Sequence, residues 1–269
     1  MNPTLDLLVL KVAIAPVFVG AISLIALKYG HRAAGWLVAL PINTGTIVLV
    51  LTLTEGPSFA ATAALGALLG IVSLCVFTVG YARSALRHHW PVCLAIASIG
   101  FVVSTVLLSQ LPELFLADLI AAVVGILIVL ALVPTPEEPP LPDRGPRWEI
   151  PVRMLTAALL VLAITSGAET LGARLSGLLT PIPVFTITLV IFTHSRRGPE
   201  PVFVFLNGLQ YGLFSFAAFC AVVGVLLVPF GLAVAFGVGL GAFLAVYAVV
   251  RKLLDRRDAR RADQVQQPV

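Results

Sequence analysis

Apolar residues run along this chain in stretches that repeatedly exceed the roughly 18 positions marking a bilayer-spanning helix. Short polar, basic or Pro/Gly-rich segments separate them. Nine spans follow, over about residues 5–28, 35–54, 59–82, 90–108, 114–133, 151–171, 177–194, 201–228 and 230–250. The segment 134–149, PTPEEPPLPDRGPRWE, cannot form a bilayer helix and predicts a stiff, solvated linker.

Two of these spans carry helix breakers where lipid tolerates them least. GWLVALPINTGTIVLV, residues 35–50, holds Pro41, Asn43 and Gly45 in its middle. At a constant offset of 142 residues the second half repeats the pattern. Gly30, Arg32, Gly35, Leu37 and Pro41 fall on Gly172, Arg174, Gly177, Leu179 and Pro183. Without a gap, Thr44, Thr46 and Val48 then fall on Thr186, Thr188 and Val190, and Gly56-Pro57 on Gly198-Pro199. Gly66 and Gly70 fall on Gly208 and Gly212. Such agreement, much of it in Gly and Pro, marks an internal duplication.

The expected fold is therefore an all-α polytopic membrane protein. A first four-helix repeat covers 1–109, a connecting transmembrane helix 110–133, the Pro-rich cytoplasmic linker 134–149, a second repeat 150–250 and a basic cytoplasmic tail 251–269. One extra crossing between two four-span units makes the second enter from the opposite face. Inverted repeats of this kind resemble, as an architecture, the build of secondary transporters.

Composition agrees: 59% of residues are hydrophobic and 11% charged. Cationic loops stay cytoplasmic during insertion. Of 17 Lys and Arg residues, all but Lys11 and Arg174 fall on one side if the amino terminus is outside and the carboxyl terminus inside. That orientation predicts an integral protein of the cytoplasmic (inner) membrane. No basic stretch precedes the first apolar run and no small-residue cleavage site follows it, so it reads as a retained span. Trp36, Trp90 and Trp148 each stand at the inner start of a span, where indole rings favour the headgroup layer. The basic tail RKLLDRRDARR reads as an anchor to anionic lipid, not a nucleic-acid site.

Backbone groups exposed by a break deep in a membrane must be buried in protein or line a wet cavity. Pro41 and Pro183 suit the first position of a half-helix whose N-terminus points to the centre. The segments LPINTGT and IPVFTIT are thus the candidate substrate site, with Asn43, Thr44, Thr46, Thr186 and Thr188 as polar partners. Asn207, Gln210 and Tyr211 share one stretch of the eighth span and either line a pore or join helices. Lys11, Asp118, Arg153 and Glu169 are charges within spans and hence candidates for substrate charge or ion coupling. The glycine pairs 66/70, 208/212 and 237/241 are expected to let helices approach closely.

These positions predict a small anionic or zwitterionic solute moved by alternating access, with membrane lipid as the other partner, no cofactor and no metal. A homo-oligomer is compatible with the pattern. One rival is a structural or accessory membrane protein. An intramembrane enzyme is the other, but His31, His88, His89 and His194 all fall at span ends, and Ser166 lacks a nucleophile-elbow context. Cys75, Cys93 and Cys220 lie in apolar runs and read as small hydrophobes.

Overall fold

A computed structural model describes residues 17, 19–25, 28–112, 114–135, 148, 150–156, 159 and 183–265, with backbone only for Ile42, Asn43, Val184 and 257–265. Lys11, Glu169, Arg174, most of the first and sixth spans, the first third of the seventh and most of the linker lie outside them. Among the described residues every regular element is helical. They are α1 (His31–Val38), α2 (Ile42–Thr54), α3 (Pro57–Ser84), α4 (Trp90–Ser109), α5 (Phe115–Leu132), α6 (Val184–Arg197) and α7 (Pro199–Val265). Residues 19–25 and 150–156 are helical too.

Proline and glycine write most of these boundaries. Proline at a first helical position loses nothing, because its missing N–H would be unsatisfied there. Pro57 opens α3, Pro91 lies in the first turn of α4 and Pro199 opens α7. Gly56 and Gly198, at φ +96° and +76°, turn the chain sharply before α3 and α7 in a region that a Cβ disfavours. Gly231 does the same inside α7, two residues after Pro229, and divides it into two arms.

Four helices among the described residues are long and apolar enough to cross a membrane: α3, α4, α5 and α7 through Arg256. Burial ranks them. The core window of α3 is 72% buried, whereas those of α4 and α5 are 22% buried, so α3 is central and the other two peripheral. Their outward faces carry Ile99, Val102, Leu107, Leu116, Leu127 and Ile128, all exposed. Water disfavours so much contiguous apolar surface, and hydrocarbon accepts it.

Close contacts fix the helix directions. Gly224 abuts Ala61 and Leu65, while Gln210 bonds to Thr78 and meets Cys75, so α3 and the first arm of α7 are antiparallel. α2 folds back on α3 through Glu55 and Gly56, and α6 on α7 through Gly198 alone. Consequently α2 and α6 also run in opposite senses. α1 runs parallel to α7, and their backbones nearly touch: a Cβ on Gly35 would lie 2.6 Å from the Leu209 nitrogen and closer still to the Phe205 carbonyl. Gly208 meets the Arg32 backbone and Gly212 meets Trp36 and Ala39 in the same groove.

Two expectations need correction. Gly237 and Gly241 pack against nothing within 4 Å, because they lie on the outward face of the second arm of α7. The Trp36 ring is covered by protein, not open to headgroups: it is 8% exposed, edge-on to Tyr247 at 4.6 Å between centroids and stacked on Tyr211 at 6.1 Å. The close α1–α7 approach draws its ring into the protein. Trp148 remains exposed, with the Arg196 guanidinium 4.7 Å from its ring centroid.

Candidate functional site

The segment expected as the second span is interrupted. α1 ends at Val38, residues 39–41 leave the helix, and α2 begins with Pro41 as its cap at φ −77° and ψ 33°. α6 begins on Pro183 at φ −78° and ψ 44°. The first helical hydrogen bonds also correspond, from Gly45 N–H to the Pro41 carbonyl at 2.7 Å and from Ile187 N–H to the Pro183 carbonyl at 2.6 Å. Proline forbids continuation of an upstream helix yet starts a new one, so equal sequence gives equal geometry at both places.

Register along α7 locates the first break. Its face of Gly208, Gly212 and Phe219 meets Gly35, Ala39 and Gly45 in order. Ser215, on that face, stands opposite the segment between Ala39 and Gly45. On the other side, the Tyr81 hydroxyl reaches the Val190 carbonyl at 3.4 Å and His194 Nδ1 at 3.1 Å. Two turns back along α3, which runs parallel to α6, Ser73 is level with Pro183. The Gln210 contacts with Cys75 and Thr78 bring Ser73 and Ser215 level with each other where α3 crosses α7. Both helix starts thus open at one level of the bundle, from opposite directions.

Thr44, Thr186 and Thr188 are buried near these starts, Pro41 and Pro183 are buried, and Thr46 is half-buried. The Asn43 side chain lies outside the described residues. The eighth-span amides join helices. Asn207 donates to the Pro134 carbonyl after α5 at 3.1 Å and to its own helix at Phe203, 3.0 Å away. Gln210 donates to Thr78 Oγ1 at 3.1 Å. Tyr211 is half-buried against Trp36.

Charged groups gather at the end of the bundle where α3 and α6 finish and α1 starts. His31 is buried, and its Nε2 accepts from Arg197 Nη1 at 3.0 Å. Arg153 is buried with its guanidinium 5.4 Å from the Phe192 ring centroid. Burial, then the nearby Arg197 and Arg153 charges, pull the His31 imidazole down from 6.5 to about 4. Asp118 is buried in the first turn of α5. Among the described residues no three His, Cys, Asp or Glu side chains stand together as metal ligands.

Sequence reasoning passed over Ser215 and the His31–Arg197 contact. Ser73 and Ser215, with Phe77 and Phe219, extend the 142-residue identity beyond Gly70, and that was the available signal for the serine. The His31 contact joins residues 166 apart that lie outside any matched pair. No protein-family model, curated protein or solved structure matches the chain.

Proposed function

We propose that this protein is a secondary transporter of the cytoplasmic membrane, moving a small anionic or zwitterionic solute by alternating access. Its nine spans form two inverted four-helix repeats, 1–109 and 150–250, with the amino terminus outside and the carboxyl terminus in the cytoplasm. The observation that carries this reading is the pair of proline-started helices, α2 and α6, alike in backbone geometry, opposite in direction and open at one level. The agreement continues past them. α3 and α7 each start after a positive-φ glycine, and Gly231 stands 142 residues after His89, the cap of α4. Two equivalent units packed in opposite senses supply two conformations open to opposite faces.

The solute class follows from charge. Two helix N-termini present positive partial charge of about half an elementary unit each. Neither residues 35–50 nor 201–230 contain a carboxylate. The buried hydroxyls of Thr44 and Thr186 add neutral partners.

Stability measured across an unbiased metabolite panel identifies the solute, because a ligand of the folded state raises the unfolding temperature by mass action. Flux of the hit is then read in liposomes. Thr44→Val and Thr186→Val together are expected to lower that flux at least tenfold with a smaller effect on folding. Unchanged flux in the double variant removes the proposed site, and selective flux of an organic cation reverses the charge argument. A second reading, a structural membrane protein without transport, is favoured by the use of Asn207 and Gln210 in joining helices. It predicts no solute-dependent flux at all.

A further inference from the structure

The two helix starts share their backbone but differ in one hydroxyl. Ser73, level with Pro183, has a partner: Thr105 Oγ1 donates to its Oγ at 2.9 Å. Its counterpart Ser215, level with Pro41, is 0% exposed and its Oγ has no hydrogen-bond partner among the described residues. The cause is in the sequence. The position 142 residues after Thr105 is Tyr247, whose ring packs against Trp36 and Phe243. A buried hydroxyl left without a partner is costly, and such groups in native proteins are met by water, an ion or a ligand.

By its register on α7, Ser215 stands level with a second set of donors, the opening N–H groups of α2. The first helical bond of α2 is that from Gly45 to the Pro41 carbonyl. The N–H groups of Ile42, Asn43 and Thr44 therefore precede any intrahelical acceptor. Beside this start stand Phe219 and Phe236, whose rings come within 3.7 and 3.8 Å of a Cβ built on Gly45. No Lys or Arg occurs in residues 35–50 or 199–230. A partial positive charge without a full cation suits a monoanion and not a phosphate dianion.

We propose that Ser215 and the opening N–H groups of α2 form a subsite for the carboxylate of a small monocarboxylate, whose apolar body rests on Phe219 and Phe236. In this conformation the ligand takes the Pro41 start and not the Pro183 start, where Ser73 is already engaged by Thr105. The proposal rests on the transporter reading for its biological use, and binding tests it separately.

Trp36 lies within two turns of the subsite, so the full chain carrying Trp90→Phe and Trp148→Phe reports from that indole alone. The protein in lipid nanodiscs is titrated with butyrate, and with butyramide and inorganic phosphate as neutral and dianionic controls. Butyrate flux into liposomes is measured in parallel. The expected result is a saturable butyrate response that neither control reproduces. Ser215→Ala should raise the apparent Kd about tenfold, and Ser73→Ala should leave it within twofold. Thermal unfolding of Ser215→Ala should equal or exceed that of the parent, since among the described residues the hydroxyl has no partner to lose and its burial is costly. Equal weakening by both serine variants, no effect of Ser215→Ala, an equal response to phosphate or butyramide, or no butyrate response overturns the subsite. Flux that persists unaltered in Ser215→Ala removes the subsite and leaves the transport reading standing. Binding with the expected serine pattern but without flux keeps the subsite and removes the transport reading.

Discussion

His31 is a buried imidazole whose titration changes on folding. Its Nε2 accepts from Arg197 and its imidazole is held down at about 4, so the ring is neutral when folded. Unfolded, it titrates near 6.5. Between pH 6.5 and 4 the unfolded chain therefore binds more protons, and stability falls as pH falls through that window. A shift of this size corresponds to at most about 3 kcal/mol. Lowering the pH from 7.5 to 4.5 should depress the unfolding temperature of the parent in detergent. His31→Asn, which cannot protonate, should lose most of that dependence; an equal slope in both proteins would refute the assignment. Other side chains were less legible. The sequence could not separate a pore-lining Gln210 from one that joins helices, because that depends on the rotation of α7 about its axis, which brings Thr78 to it. Trp36 was misplaced for the same reason, since an indole at a span start is drawn to whichever apolar surface is nearer.

Among helices, the α1–α7 crossing is the tightest contact. Main-chain atoms oppose Gly35 and Gly208 on both sides, so an added methyl has no side chain to push aside. Gly35→Ala is expected to cost about 3 kcal/mol or more, or to abolish folding, because relief requires backbone movement. Gly237→Ala meets nothing and removes a helix-weakening glycine, so it should be neutral or stabilising by up to about 1 kcal/mol. Thermal unfolding of the pair checks this, and equal losses would mean that the groove is not as close as described. Element starts were highly legible: proline and glycine act through their own backbone, without needing the tertiary context, and residues 41, 56, 183 and 198 each mark a boundary. The pairing of glycines was legible only in part. Gly237 and Gly241 share the spacing of Gly208 and Gly212, but spacing says nothing about which face a neighbour will cover.

At the scale of the whole molecule, the proposed topology sets Ser58 outside and Ser195 in the cytoplasm, both on exposed positions. The three native cysteines are buried. In a chain with these replaced, Ser58→Cys should react with an impermeant maleimide in intact cells, and Ser195→Cys only after permeabilisation. Two sites labelled from one side would defeat the inverted arrangement, and the reverse pattern would defeat the placement of the amino terminus outside. The 142-residue offset carried much of this reading, since it relates units that hydropathy alone treats as unconnected helices.

α5 stands apart from both repeats. It is peripheral, mostly outward-facing, and has no counterpart at the 142-residue offset. In the proposed topology its service to the molecule is parity. An even number of crossings before residue 150 would set both halves in the membrane the same way up, and α2 and α6 would then point alike. In the proposed topology, one hydrophobic segment thereby decides whether two similar sequences become copies or opposites.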